Sequence, residues 1–367
     1  MRKAAWLALP LVLAVLAPGN STAFDLEGRV SRYVLDNGMR VLVLPRPGYP
    51  VISVCMKFKA GSIDEDAGRS GTAHLLEHML FKGTETLGTR DFAAELPLIG
   101  EMDRVAAAMD DLRRRLEADG KEPAADPGYA ALASRMRALA EEQRRYIVKD
   151  EIDALYTRNG AENFNAFTDV DMTTYRVDLP ANRLLLWAVV ESDRMRHPVL
   201  REFYSERDVV MEERRQSYDS DPDRQLMELF LATAFTAHPY GRPIIGWPSD
   251  IASLTRPETE VFFRTRYAPD NAVVAVVGDV QPGTVLAVLK KYFGSIEPAG
   301  VAAPPISREP EQRGERRAVL EADANPVVMI GWHKPTLPHR DDYVLDLVDG
   351  ILGGGRTSRL YRRLVEA

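Results

Sequence analysis

The order of strand and helix signals agrees with an α+β chain without fixing it, and three observations show the agreement. A turn, Asp36-Asn37-Gly38, joins two β-type runs within residues 30–45, which predicts an antiparallel hairpin. A second strand pair is predicted where the stretch leading to Thr168 meets Thr173 to Leu179. Between and after these strands, apolar residues recur every three or four positions, the period of amphipathic helices. Element order alone does not fix how many sheets form or which face the helices cover.

Residues 1–23 read as a signal peptide. Arg2 and Lys3 precede an apolar run from Ala4 to Ala17, and Ser21-Thr22-Ala23 supplies small residues for cleavage. The run is short for a membrane span and contains Pro10. The expectation is therefore an exported chain starting near Phe24, placed in a bacterial periplasm, with no stable membrane span once the signal is removed. Arg2 and Lys3 are the only charges removed, so the net charge of −7 becomes −9. An acidic chain without a basic run argues against a nucleic-acid partner. Cys55 is the only cysteine, which excludes an internal disulfide. Its setting in Val51-Ile52-Ser53-Val54-Cys55-Met56 reads as a buried strand, and the thiol as a core residue.

The hairpin strands are Val30 to Leu35 and Met39 to Leu44, and a third strand runs from Val51 to Phe58. After the loop Gly61-Ser62-Ile63-Asp64-Glu65, a helix starts near Ser70 and stops at Gly83-Thr84. It carries His74-Leu75-Leu76-Glu77-His78. At 3.6 residues per turn, positions 74 and 78 stack on one face and position 77 points to nearly the same side. Two imidazoles can then meet one ion. A catalytic zinc site takes three protein ligands and keeps an open position, so the helix needs a third ligand from elsewhere. Glu77 is placed to take a proton from water that zinc acidifies to a pKa of about 7, which makes the triplet a hydrolytic site. The plainer alternative is a core helix, since Ala73, Leu75, Leu76, Met79 and Leu80 already form a packing face.

A second helix is predicted from an N-cap at Thr89. Met102, Val105, Met109, Leu112 and Leu116, then Tyr129, Leu132, Met136, Leu139, Gln143 and Tyr146, predict an antiparallel helical hairpin with a coiled-coil seam. Its Arg- and Glu-rich outer face reads as solvated. Helices follow from Pro180 to Met195, from Arg201 to Tyr218 and over 223–237. Asn271 to Gly278 is an apolar strand, and Pro282 to Phe293 a helix. Residues 297–314 hold four prolines and read as a linker. Pro326 to Trp332 is then predicted as a strand and Tyr343 to Leu352 as a helix.

Two acidic residues on the 201–218 helix, Glu206 and Glu213, are two turns apart on one face. Glu213 could complete a His-His-Glu zinc set, and Glu206 could hydrogen-bond a ligating histidine. Charged helices offer many such pairs, so this spacing is weak by itself.

With H-x-x-E-H at 74–78 and Glu206-Arg207-Asp208-Val209-Val210-Met211-Glu212-Glu213, the chain resembles the insulysin and pitrilysin family of inverted-zincin metallopeptidases, most closely its processing-peptidase-like bacterial members. The resemblance also covers Gly71 to Thr84, Asn165-Ala166-Phe167-Thr168, His238-Pro239-Tyr240-Gly241, Tyr267 to Asp279 and Gly353 to Leu360. It implies Glu213 as third ligand and an α+β fold with helices packed on one face of a mostly antiparallel sheet, in two similar copies facing a peptide chamber. It implies a domain over 24–296, the 98–157 hairpin as an insertion, and the start of a second similar domain over 315–367. A peptide substrate would pair as an added strand beside Asn165, Ala166 and Phe167. For Asn165 alone, the residues favour a strand-end amide serving its own loop. The His238-Pro239-Tyr240 group reads as structural.

The function expected is a zinc-dependent endopeptidase. The alternative is a non-catalytic or partner-dependent subunit, working as a homo-oligomer or beside a complementary peptidase-like chain. The resemblance further implies an arginine and a tyrosine on a strand after the Ser358-Arg359-Leu360-Tyr361 helix, beyond Ala367. The chain alone is accordingly expected to bind zinc, cleave peptides poorly and leave Val327 to Ile330 partly uncovered.

Overall fold

The computed structural model describes residues 26–302 and 305–366, so the predicted signal peptide lies outside the described residues. Its core is one six-stranded sheet built from β1 (Ser31–Val34), β2 (Arg40–Pro45), β3 (Val51–Phe58), β4 (Glu162–Thr168), β5 (Thr173–Pro180) and β6 (Ala272–Gly278). The spatial order is β1-β2-β6-β3-β5-β4, and only the β2–β6 pair is parallel. β4 and β1 are therefore the free edges.

Alternation along β3 shows how the sheet divides its faces. Ile52, Val54, Met56 and Phe58 are buried, and across the ladder Val54 meets Val177 and Val276 while Met56 meets Tyr175 and Val274. These residues form one side, against which the helices pack. The opposite face carries Ser53, whose hydroxyl reaches Asp178, and Lys57. Cys55 also lies there and is half-buried, so it is not the core thiol expected. A continuous apolar run hid the period of two that puts position 55 on the other face.

The helix with the histidines, α1 (Thr72–Met79), follows β3 almost directly. Next comes α2 (Phe92–Ala118), capped by Asp91, whose Oδ1 accepts Ala94 N–H at 3.0 Å; the expected cap Thr89 is instead in a bridge with Ile147. α2 runs unbroken through Pro97, so the expected second helix and the first arm of the hairpin are one element. α3 (Pro127–Gln143) returns antiparallel, and α4 (Glu151–Arg158) buries Ile152 and Tyr156 in the main core. α5 (Leu184–Arg196), α6 (Phe203–Arg214) and α7 (Pro222–Ala234) agree with the sequence pattern, α6 passing into a π-helical turn at Arg215–Asp219.

Two helices went unread, α8 (Pro248–Ser253) and α9 (Arg256–Arg266). Their signals were present: Pro248 sits at a first helical position, and Thr255 accepts the Glu258 N–H. After β6 and α10 (Pro282–Phe293), the chain has little regular structure until α11 (Arg340–Gly353) and α12 (Arg359–Leu364). The strand expected over 326–332 is absent. No strand lies beside it among the described residues, and β-type side chains make no ladder without a partner. Val328, Ile330 and Trp332 are exposed. No helix among the described residues is long and apolar enough to cross a membrane.

Candidate metal centre

Packing and one carboxylate fix α1. Thr72, Ala73, Leu75, Leu76 and Met79 are buried, which leaves His74, Glu77 and His78 on the half-buried face of the helix. Gly71 precedes the helix with φ of +93°, and a Cβ there would lie 2.6 Å from the Ile245 carbonyl oxygen. Glycine is required at this approach and offers no capping side chain. Glu65 supplies the cap from the preceding loop, its two oxygens accepting N–H groups of Gly71 at 3.0 Å and Ala73 at 2.8 Å. Burial pushes the Glu65 carboxyl up to about 8, against the pull of those N–H groups and of Arg242.

α6 lies against α1 and brings two carboxylates to it. Glu213 Oε1 is 3.8 Å from His74 Nε2 and its Oε2 is 3.6 Å from His78 Nε2. One donor atom from each of His74, His78 and Glu213 lies within 4.8 Å of the others. Two ligands bound to zinc at about 2.0–2.1 Å with tetrahedral angles are roughly 3.4 Å apart, so small side-chain movements would close this set on an ion. Two imidazole nitrogens and one carboxylate are the donors such a site takes.

Glu206 joins the two helices. Its Oε1 is 3.2 Å from His78 Nδ1 and its Oε2 2.6 Å from Lys82 Nζ. An ionised carboxylate can only accept, so the His78 Nδ1–H donates, and in the neutral ring this leaves the lone pair on Nε2. Burial raises the Glu206 carboxyl, but the bonds from His78 and Lys82 outweigh it and hold the group below its usual range. His78 is pushed up: burial acts against its charge, and the Glu206 bond with the charges of Glu206, Glu213 and Glu77 prevails. His74 is brought down to about 4 by burial and by His78, and its buried Nδ1 has no partner.

Glu77 lies between the ligand candidates and accepts a 2.6 Å hydrogen bond from Thr168 Oγ1. Burial raises its carboxyl, with Thr168 opposing. Thr168 ends β4, the edge strand that carries Asn165, Ala166 and Phe167. Asn165 and Phe167 are exposed and Ala166 is buried opposite Tyr175. The His238 group stands apart from the ligand cluster: His238 caps its own turn, and the Tyr240 hydroxyl donates to Asp171 at 2.8 and 2.9 Å.

Sequence reasoning missed Glu65, Lys82, Thr168 and two buried arginines. Arg201 donates to Glu95 and to the carbonyls of Lys82, Thr84 and Leu87, fastening the turn after α1. Arg214 reaches both Glu228 oxygens at 3.0 and 3.1 Å and the Gly246 carbonyl at 2.8 Å, beside the residues that crowd Gly71. Only Thr168 had a local signal, at the end of Asn-Ala-Phe-Thr.

Residues 40–112 and 120–247 match the family described as Insulinase (Peptidase family M16), and residues 253–367 match the Peptidase M16 inactive domain. The zinc protease PqqE of Helicobacter pylori is 28% identical over 365 residues, 98% of this chain and 69% of that protein. An uncharacterized zinc protease of Mycobacterium leprae is 28% identical over 340 residues, 92% of this chain, and the chain spans 63% of its length. The crystal structure of a protease from Helicobacter pylori superimposes with a TM-score of 0.69 at 29% identity, over 92% of this chain and 68% of that one.

Proposed function

Because the chain belongs to the M16 (insulinase) peptidase family, we propose that it is a zinc-dependent endopeptidase acting on peptides or unfolded segments, with zinc held by His74, His78 and Glu213. The observation that carries the reading is a division of labour on α1. Both histidines turn toward Glu213, while Glu77 is bonded to Thr168 instead and is left for proton transfer.

Zinc bound there would polarise a substrate carbonyl and acidify a water. Glu77 would accept a proton from the attacking water and return it to the leaving amine. Glu206 holds the His78 ring through Nδ1, which keeps the Nε2 lone pair available. A peptide laid along the β4 edge at Asn165, Ala166 and Phe167 would present its backbone to unpaired strand groups. Export to a periplasm rests on residues 1–23 alone.

The test is metal analysis of the purified chain together with digestion of an unstructured peptide mixture, with and without chelator. About one zinc per chain and chelator-sensitive cleavage are expected. Glu77→Gln keeps the zinc and loses about 10²–10⁴ in rate. A variant that loses zinc as His74→Ala does would make Glu77 a ligand or support. A zinc-loaded chain that cleaves only when a second peptidase-like chain is added would establish the partner-dependent reading.

A further inference from the structure

Thr168 has one hydroxyl proton and two candidate acceptors. Glu77 Oε2 is 2.6 Å away and Thr173 Oγ1 3.4 Å. The short distance to a carboxylate takes the proton, since the longer one lies at the edge of hydrogen bonding. Thr173 does not compete: its own hydroxyl donates to the Ala60 carbonyl at 2.9 Å and accepts from the Tyr267 hydroxyl at 2.9 Å. Tyr267 is fully buried and stacks on Phe58, with ring centroids 4.5 Å apart, so the Thr173 side is fixed from the core. Among the described residues, no other side chain hydrogen-bonds Glu77.

A glutamate has a broad terminal torsion and would otherwise sample many orientations. One oxygen is tied to the end of β4, so the other is held in a narrow range. We propose that Thr168 is a positioning residue for the reaction, holding the Glu77 carboxylate in the orientation that accepts a proton from the attacking water; this rests on the peptidase reading given above. The same strand would carry the peptide at Asn165 to Phe167. The base and the bound backbone are then indexed to one element, and a shift of β4 moves both together.

Thr168→Val removes the hydroxyl at nearly constant shape, and Thr168→Ser keeps it. On a fluorogenic unstructured peptide, with the zinc-loaded full chain, Thr168→Val should lower kcat about tenfold, as expected for losing one charge-assisted bond. KM should stay within about twofold and zinc content unchanged, and Thr168→Ser should recover most of kcat. Unchanged kcat, a rise in KM alone, or a serine variant as impaired as the valine would overturn the proposal.

A measurement without turnover separates this from the peptidase reading. Melting temperatures of the metal-free parent, Thr168→Val, Glu77→Ala and the double variant form a cycle. A hydrogen-bonded pair gives a double variant whose shift is smaller than the sum of the two single shifts, whereas additive shifts overturn the contact. Thr168→Ala serves as a second hydroxyl-free variant if valine unfolds the chain. A coupled cycle in a parent that is inactive both alone and with a complementary peptidase-like chain would sink the peptidase reading, and the catalytic role of Thr168 with it. An active parent with an additive cycle would sink the Thr168 proposal alone.

Discussion

α1 and α6 carry the two halves of the proposed ligand set, and they are held by opposite means. α1 is an apolar wedge, with Leu75, Leu76 and Met79 fully buried and the histidines on its remaining face. α6 has few buried apolar residues and is placed by polar anchors. Tyr204 donates to Asp103 at 3.0 Å, Arg207 donates to the Leu254 carbonyl at 3.1 Å, and Arg214 forks onto Glu228. Apolar packing fixes the depth of a helix but discriminates weakly between small rotations and slides. Hydrogen bonds with fixed partners discriminate strongly. A carboxylate that must meet two imidazoles needs the second kind of placement.

The sharpest test of this contrast is at the α6 end. Glu213→Gln should weaken metal binding by orders of magnitude, while the neighbouring Glu212→Gln should leave it unchanged. Glu212 points to the exposed side, pairing with Arg215 and Gln216. Zinc content after dialysis against a graded chelator series checks the pair. Equal retention in the two variants would break the comparison, because α6 would then contribute no ligand.

A smaller effect is expected where the helices meet. Glu206→Gln keeps the shape of the side chain but loses the charge shared between His78 and Lys82. Loss of a group that orients a ligating histidine typically costs about 10–100-fold in metal affinity. A value near that for Glu213→Gln would mean that Glu206 acts as a ligand. A value near parent would mean that apolar packing alone orients His78.

This contrast also explains what could be read from the sequence. α1 was legible because its apolar and histidine positions separate on a helical wheel, and β3 and α10 because their residues match one period closely. The histidine and glutamate motifs were local enough to be seen, and the M16 resemblance named their partner. Apart from the bond of Glu206 to a ligating histidine, the contacts that place α6 were not legible. Arg201 reaches carbonyls 114 to 119 residues away, and Asp103 meets Tyr204 across 101 residues. No short window contains both partners. The 326–332 segment failed for a related reason, since strand propensity describes a side chain's fit to a neighbour and this segment has no neighbouring strand among the described residues.

The smallest effect on the metal is expected at the other end of α1, where an otherwise apolar helix depends on one carboxylate. Glu65 is buried, caps Gly71 and Ala73, and faces Arg242, which lowers its pKa, and Asp250, which raises it. In the unfolded chain this carboxyl ionises near the ordinary 4.5, whereas in the fold burial holds it up to about 8. Between those values the folded chain binds the extra proton, so stability falls as pH rises. Below the window both states are protonated, and above it both are ionised, so the contribution is flat on either side. Glu65→Gln does not titrate. Subtracting its melting temperature from that of the parent at each pH cancels every group the two proteins share. The difference should fall by several degrees from pH 5 to pH 8 in metal-free protein. A difference that stays flat over this range would show that the helix N–H groups and Arg242 hold Glu65 ionised throughout. In that case α1, like α6, would be placed chiefly by a charge.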